Sequence, residues 1–276
     1  MITLNSILAS VWAVVNLSAN YMRESPDYTS SLETQALMGT LVEVLERESY
    51  WVKIRVPDGY EAWTTELGLS FMDDKEKEEW CSAPKWICTS DFAHIYGRPS
   101  ESSPRISDLV MGDLLVRASG ASDGWVEAVL PSGIHGWVRS DNVEDYAVWS
   151  SSRDRSADSI IKLAQSFMGV PYMWGGSSAK AFDCSGLVQF VFGMNGISLP
   201  RNTGPQSKSG IPVKPVLSAM RPGDLVFFGN TKPSHVAIYM GNGRIIHCSQ
   251  MVRTNSLKKG DEDFYDRQIL CVRRIK

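Results

Sequence analysis

The 276-residue sequence has no apolar run near the roughly 18 residues that cross a bilayer as a helix, so no membrane span is expected. It has no Lys or Arg before Arg23, so the charged start of a secretory signal is missing. The expected compartment is the cytoplasm, or the periplasm or exterior if a signal was removed. Cysteine is sparse: five residues, Cys81, Cys88, Cys184, Cys248 and Cys271, with no Cys-x-x-Cys pair. A disulfide framework is not expected of so few, although Cys81 and Cys88 could pair, and neither is a zinc site. Positive charge is not in excess either. A net charge of −3 and a pI of about 5.9 exclude the basic face of a general nucleic-acid binder.

What is present is ordinary for a globular protein, with 43% hydrophobic and 21% charged residues. The length suits two domains, or three small ones. An internal repeat decides between them. Met38-Gly39 recurs as Met111-Gly112, and Trp51, Pro57, Gly59 and Trp63 recur as Trp125, Pro131, Gly133 and Trp137. Each copy holds an alternating strand-like run, a Pro-x-Gly turn and a second strand carrying a tryptophan. Each reads as an all-β barrel of roughly 65 residues. The tryptophans are expected as core packing, with a ligand surface on at least one barrel as the alternative. Between the copies, the charge run Asp73–Glu79 reads as a solvated connection or a helix start.

Near residue 150 the pattern changes. Ser151–Ser156 reads as a polar linker. Ser156-Ala157-Asp158 then opens an amphipathic helix carrying Ile160, Ile161, Leu163, Ala164 and Phe167. Pro171–Gly176 is a loop, and Cys184–Met194 a second helix closing at Asn195-Gly196. Strand-like runs follow at 224–228, 235–240 and 244–248, and a further one at 270–275. Helices before an antiparallel sheet indicate an α+β domain. The expected division is 1–75 and 76–150 for the two barrels and 151–276 for the third domain.

Cys184 stands at a helix start, where free backbone N–H groups and the helix dipole favour thiolate, the nucleophilic form. His235 opens a strand that could bring its ring to that sulfur. His247, after the turn Gly241-Asn242-Gly243, would come alongside His235 if the two strands form a hairpin. Nucleophile, base and orienting group are the parts of a catalytic triad. His94 and His135 lie in the barrels and read as structural.

The motifs Pro171-Tyr172-x-Trp174-Gly175-Gly176, Asp183-Cys184-Ser185-Gly186-Leu187-Val188, Arg221-Pro222-Gly223-Asp224, His235-Val236-Ala237-Ile238-Tyr239 and Ile246-His247 stand in order. Together, over about 155–275, they resemble the NlpC-type family of bacterial cysteine peptidases, and the two-tryptophan hairpins resemble bacterial SH3-like domains over about 8–72 and 86–147. The resemblance implies a papain-like α+β peptidase domain preceded by two small all-β SH3-like barrels. It implies Cys184 as nucleophile, His235 as base, His247 as orienter, and Tyr172 adding a hydroxyl to the oxyanion hole. The whole arrangement resembles a narrower group, the γ-D-glutamyl-L-diamino-acid endopeptidases (dipeptidyl-peptidase six), which cut peptidoglycan stem peptides with a free N-terminal L-alanine. In that group the first barrel blocks one end of the groove and holds the substrate amine; Glu33 and Tyr60 are the candidates here. Asp183 and Ser185 are further groove contacts. The segment Arg201-Asn202-Thr203-x-x-Gln206 matches one that usually reads Arg-Asp-Ser-x-x-Gln, so Asn202 and Thr203 stand where Asp and Ser contact the substrate. The implied partners are peptides of the form L-Ala-γ-D-Glu-diamino acid, with no metal or cofactor, and the expected state is a monomer. Acyl transfer or amidase chemistry on another γ-glutamyl or lipid substrate, and an inert wall-binding module, are the alternatives.

Overall fold

The computed structural model describes residues 11–275. The expectations about the N-terminal signal and the first ten residues of the first barrel lie outside them. Two compact units divide the chain: 1–32 with 36–147, and 33–35 with 148–276.

The first unit, with residues 33–35 of β3 excepted, contains two seven-stranded sheets. The first is built from β1 (Val11–Val15), β2 (Asn20–Arg23), β3 (Leu32–Ala36), β4 (Leu41–Glu48), β5 (Trp51–Arg55), β6 (Glu61–Thr65) and β7 (Leu69–Met72), in the order β3-β2-β6-β5-β4-β1-β7. The second is built from β8 (Lys85–Cys88), β9 (Phe92–Tyr96), β10 (Arg105–Val110), β11 (Leu114–Ser122), β12 (Trp125–Val129), β13 (His135–Arg139) and β14 (Val143–Asp145), in the order β10-β9-β13-β12-β11-β8-β14. Strand for strand the two orders are the same, which is the repeat written in topology. Alternation fills each core: Val42, Val44, Val52 and Ile54 turn inward in the first, and Leu115, Ala128 and Val138 in the second. Trp51, Trp63 and Trp125 are buried, and Trp137 is half-buried.

Met38 leaves its own sheet and packs in the second core, where its N–H donates to Asp113 Oδ1 at 3.0 Å. The next residue must be glycine. Gly39 has φ +83°, and a Cβ there would stand 2.5 Å from the Leu114 carbonyl oxygen. The charge run between the sheets folds as α1 (Asp74–Ser82), started by a reciprocal capping box between Asp73 and Glu76. The polar stretch expected as a linker begins instead as the end of a helix, α2 (Tyr146–Ser152).

In the second unit, α3 (Ala157–Ser166) and α4 (Cys184–Met194) accompany a six-stranded antiparallel sheet. Short β15 (Ser177–Ser178) and β16 (Ala181–Phe182) lead into α4, and α5 (Thr203–Gln206) follows it. The sheet holds β17 (Ile211–Val213), β18 (Leu225–Gly229), β19 (Pro233–Gly241), β20 (Arg244–Ser249), β21 (Met251–Ser256) and β22 (Ile269–Arg274), in the order β17-β22-β18-β19-β20-β21. Phe167, Phe182 and Phe190 pack edge to face and tilted, with centroids 5.1–5.6 Å apart, and fix α3 against α4. β17 and β21 fall outside the strand-like runs at 224–228, 235–240, 244–248 and 270–275. No helix of the described residues is long and apolar enough to cross a membrane.

Candidate active site

α4 starts abruptly because Asp183 caps it: its Oδ1 accepts from Gly186 N–H at 2.7 Å. That places Cys184 at the first helical position. Gly186 then lets the loop close over the helix start, since a Cβ there would collide with the Gly176 carbonyl. Asp183 is itself held. Its Oδ2 accepts from Gly175 N–H at 3.0 Å, and Arg201 donates to both its oxygens, at 3.1 and 2.5 Å. Arg201 also donates to Ser185 Oγ at 3.1 Å and to Thr34 Oγ1 at 2.8 Å. Thr34 belongs to the short segment 33–35 that groups with this unit. Gln35 Oε1 accepts from Ser177 N–H and Ser178 Oγ at 2.8 and 2.9 Å, which stitches the segment in place.

β19 and β20 form the expected hairpin, with Gly241 opposite Arg244 and the turn residues Asn242 and Gly243 at φ 53° and 77°. Its register brings His235 and His247 together, Nε2 to Nδ1 at 2.7 Å. His247 Nε2 lies 2.9 Å from Asn255 Oδ1, and Asn255 Nδ2 donates to the Asp263 carbonyl at 2.7 Å. These contacts settle the proton positions. The Asp263 carbonyl only accepts, so the Asn255 amide turns its NH2 there and its oxygen to His247. His247 must then carry its proton on Nε2 and accept on Nδ1, and His235 must donate from Nε2. The neutral His235 ring is left with its lone pair on Nδ1, ready to act as a base. Asn255 sits on β21, the strand the sequence reading omits.

Cys184 Sγ lies 3.7 Å from Thr203 Oγ1. Burial pushes its thiol up, the Asp183 charge adds to this, and hydrogen bonds from Thr203 and the backbone N–H groups of Val236 and Ser185 work the other way. The expectation of a thiol lowered by the helix start is therefore corrected: removal from water outweighs the helix end. A thiol raised in this way calls for a base beside it. Tyr172, pushed up to about 12 chiefly by burial and then by Cys184, keeps its hydroxyl proton and can donate.

A pocket of about 600 Å³ opens on these groups. It is lined by Cys184, His235, Tyr172, Asp183, Ser185, Asn202, Thr203 and Glu33, so it gathers nine of the ten expected residues when His247, bonded behind His235, is added. The tenth, Tyr60, packs against the core of the first sheet. The Asp183 carboxylate is committed to the helix start and to Arg201. Trp174, Cys248 and Arg267 also line the pocket. Arg201 and Arg267 carry charge the sequence reading did not assign. All five cysteines are free, and no cluster of metal-ligating side chains occurs among the described residues.

Burial, chiefly, also pushes His235 down to about 3 and His247 to about 4. An unfolded histidine titrates near 6.5, so below that pH the unfolded chain binds more protons than the folded one. Stability should be full above about pH 6.5 and fall as pH falls from there through about 4 for His247 and about 3 for His235, by up to about 1.4 kcal/mol per pH unit for each histidine. Urea unfolding across that window measures the slope. His247→Gln should roughly halve it, leaving the His235 share; an unchanged slope would contradict a neutral buried His247.

Residues 169–274 match the NlpC/P60 family, and residues 22–66 match the bacterial dipeptidyl-peptidase Sh3 domain. The chain is 31% identical over 237 residues to a gamma-D-glutamyl-L-lysine dipeptidyl-peptidase of Bacillus cereus, covering 82% of this chain and 69% of that protein. It is 30% identical over 255 residues to a protein of the same name from Bacillus subtilis, covering 88% and 81%. The crystal structure of an NlpC/P60 family protein from Bacillus cereus superposes with a TM-score of 0.81 at 26% identity, covering 95% of this chain and 99% of that one.

Proposed function

The chain belongs to the NlpC/P60 family, and on that premise we propose that it is a cysteine endopeptidase that hydrolyses the γ-D-glutamyl–L-diamino acid bond of peptidoglycan stem peptides bearing a free N-terminal L-alanine. The observation that carries this reading is the hydrogen-bonded series Asn255–His247–His235 ending in a pocket that holds a buried thiol.

In the proposed reaction His235 Nδ1 takes the thiol proton as Cys184 Sγ attacks the γ-glutamyl carbonyl carbon. The imidazolium forms next to His247 Nδ1, which accepts its other N–H and steadies it. The Tyr172 hydroxyl and the Cys184 N–H stabilise the tetrahedral oxyanion. His235 then gives its proton to the departing amine, and a thioester is left on Cys184. Water, giving its proton to the same nitrogen, attacks the thioester carbonyl; the C–S bond breaks, L-Ala-γ-D-Glu is released, and the His235 proton returns to Cys184 Sγ to restore the thiol. Thr203 offers a hydroxyl to the glutamyl carboxylate, while the Ser185 hydroxyl, at the pocket wall, donates to Asp183 and accepts from Arg201. Glu33 offers the carboxylate for the substrate ammonium, and Asn202 adds a carbonyl without charge.

A buried ammonium is favoured only beside a hydrogen-bonding anion. Acetylating the substrate amine should therefore lower kcat/KM by about 10²-fold, the worth of one or two charged hydrogen bonds. Mass spectrometry of the products of free and acetylated peptides checks this. Equal cleavage of the two would refute the free-amine requirement.

A further inference from the structure

We propose that Arg267 recognises a carboxylate on the diamino acid whose amine is released, so that the enzyme favours substrates with an anionic group just past the scissile bond. This rests on the peptidase reading above.

Arg267, an exposed residue, lines the rim of the pocket with Ser234 and His235. It donates to Ser234 Oγ at 3.0 Å and to the Tyr265 hydroxyl at 3.4 Å, two neutral acceptors. No carboxylate of the described residues pairs with it. The other arginine of this site, Arg201, is neutralised by Asp183. Arg267 is thus a cation anchored on one edge whose charge is uncompensated, and a guanidinium has five donors, more than the two hydroxyls use.

Its position assigns it to the leaving side. The group that protonates the departing amine must lie against the leaving residue, and Arg267 is bonded to the residue immediately before His235. Its positive charge is felt at both His235 and His247, where it opposes protonation. A substrate carboxylate on Arg267 would cancel that charge and favour the imidazolium the reaction needs. The contact would therefore act on kcat as well as on KM.

Two carboxylates have this chemistry: the side-chain carboxylate of a diaminopimelate residue, and the α-carboxylate of a diamino acid that ends the peptide. Kinetics on L-Ala-γ-D-Glu peptides distinguish them. The third residue is diaminopimelate or lysine, and each carboxyl past the scissile bond is either free or amidated in turn. The wild type is expected to lose about tenfold in kcat/KM when the recognised carboxylate is amidated, and Arg267→Gln should cleave acid and amide alike. Wild-type indifference to both amides would overturn the proposal, as would full discrimination in Arg267→Gln. The wild-type comparison stands even if the variant folds poorly. Cleavage of none of these peptides would sink the peptidase reading as well.

Discussion

Cys184→Ala should abolish peptide cleavage, with kcat at least about 10⁴-fold below the wild type, because losing the nucleophile of a cooperating set costs nearly as much as losing the set. The fold should survive the change. The thiol is small, alanine is a good helix former, and the helix start depends on the Asp183 carboxylate rather than on the sulfur. Unfolding free energy should move by no more than about 1 kcal/mol, the usual range for a near-isosteric change. The pair of outcomes matters: an inactive, fully stable variant assigns the loss to chemistry. His235→Ala should fall similarly. Activity within tenfold of wild type in Cys184→Ala would remove the thioester mechanism.

Arg201→Met should be strongly destabilising. The guanidinium is 1% exposed, and it pairs with an Asp183 side chain that is 10% exposed. Removing it strands a buried carboxylate and leaves Ser185 and Thr34 short of donors. Breaking a buried pair from one side costs about 3–5 kcal/mol. Adding Asp183→Asn should recover part of that loss, since the neutral amide can still cap α4 with its oxygen. The check is the urea midpoint at constant slope for both variants. A loss under about 1 kcal/mol in Arg201→Met would mean that the pair does not hold the nucleophile's helix start.

Much of this site was legible because its signals are local. The apolar helical pattern after Cys184, the turn before His247 and the Pro-x-Gly turn in each copy of the repeat each lie within a short stretch of chain. Arg201 was hidden because its partners sit at positions 34, 183 and 185, and no local pattern links them. Asn255 was hidden because Met251-Val252-Arg253-Thr254-Asn255-Ser256 has too few apolar residues to read as a strand, yet it pairs with β20 along its whole length. The segment 33–35 reads as ordinary barrel strand, and only three-dimensional proximity groups it with the second unit. The thiol was misjudged for a different reason. Hydrogen bonds from Thr203 and from the Val236 and Ser185 N–H groups favour the thiolate, but the depth of its burial, which opposes ionisation, is a property of the assembled fold.

The account stands most directly on one comparison: wild type and Cys184→Ala incubated side by side with L-Ala-γ-D-Glu-diamino acid peptide, with the products identified by mass. The expected result is the dipeptide L-Ala-γ-D-Glu from the wild type and intact peptide from the variant. Cleavage at the L-Ala–D-Glu bond instead, or equal dipeptide release by the two proteins, would contradict it.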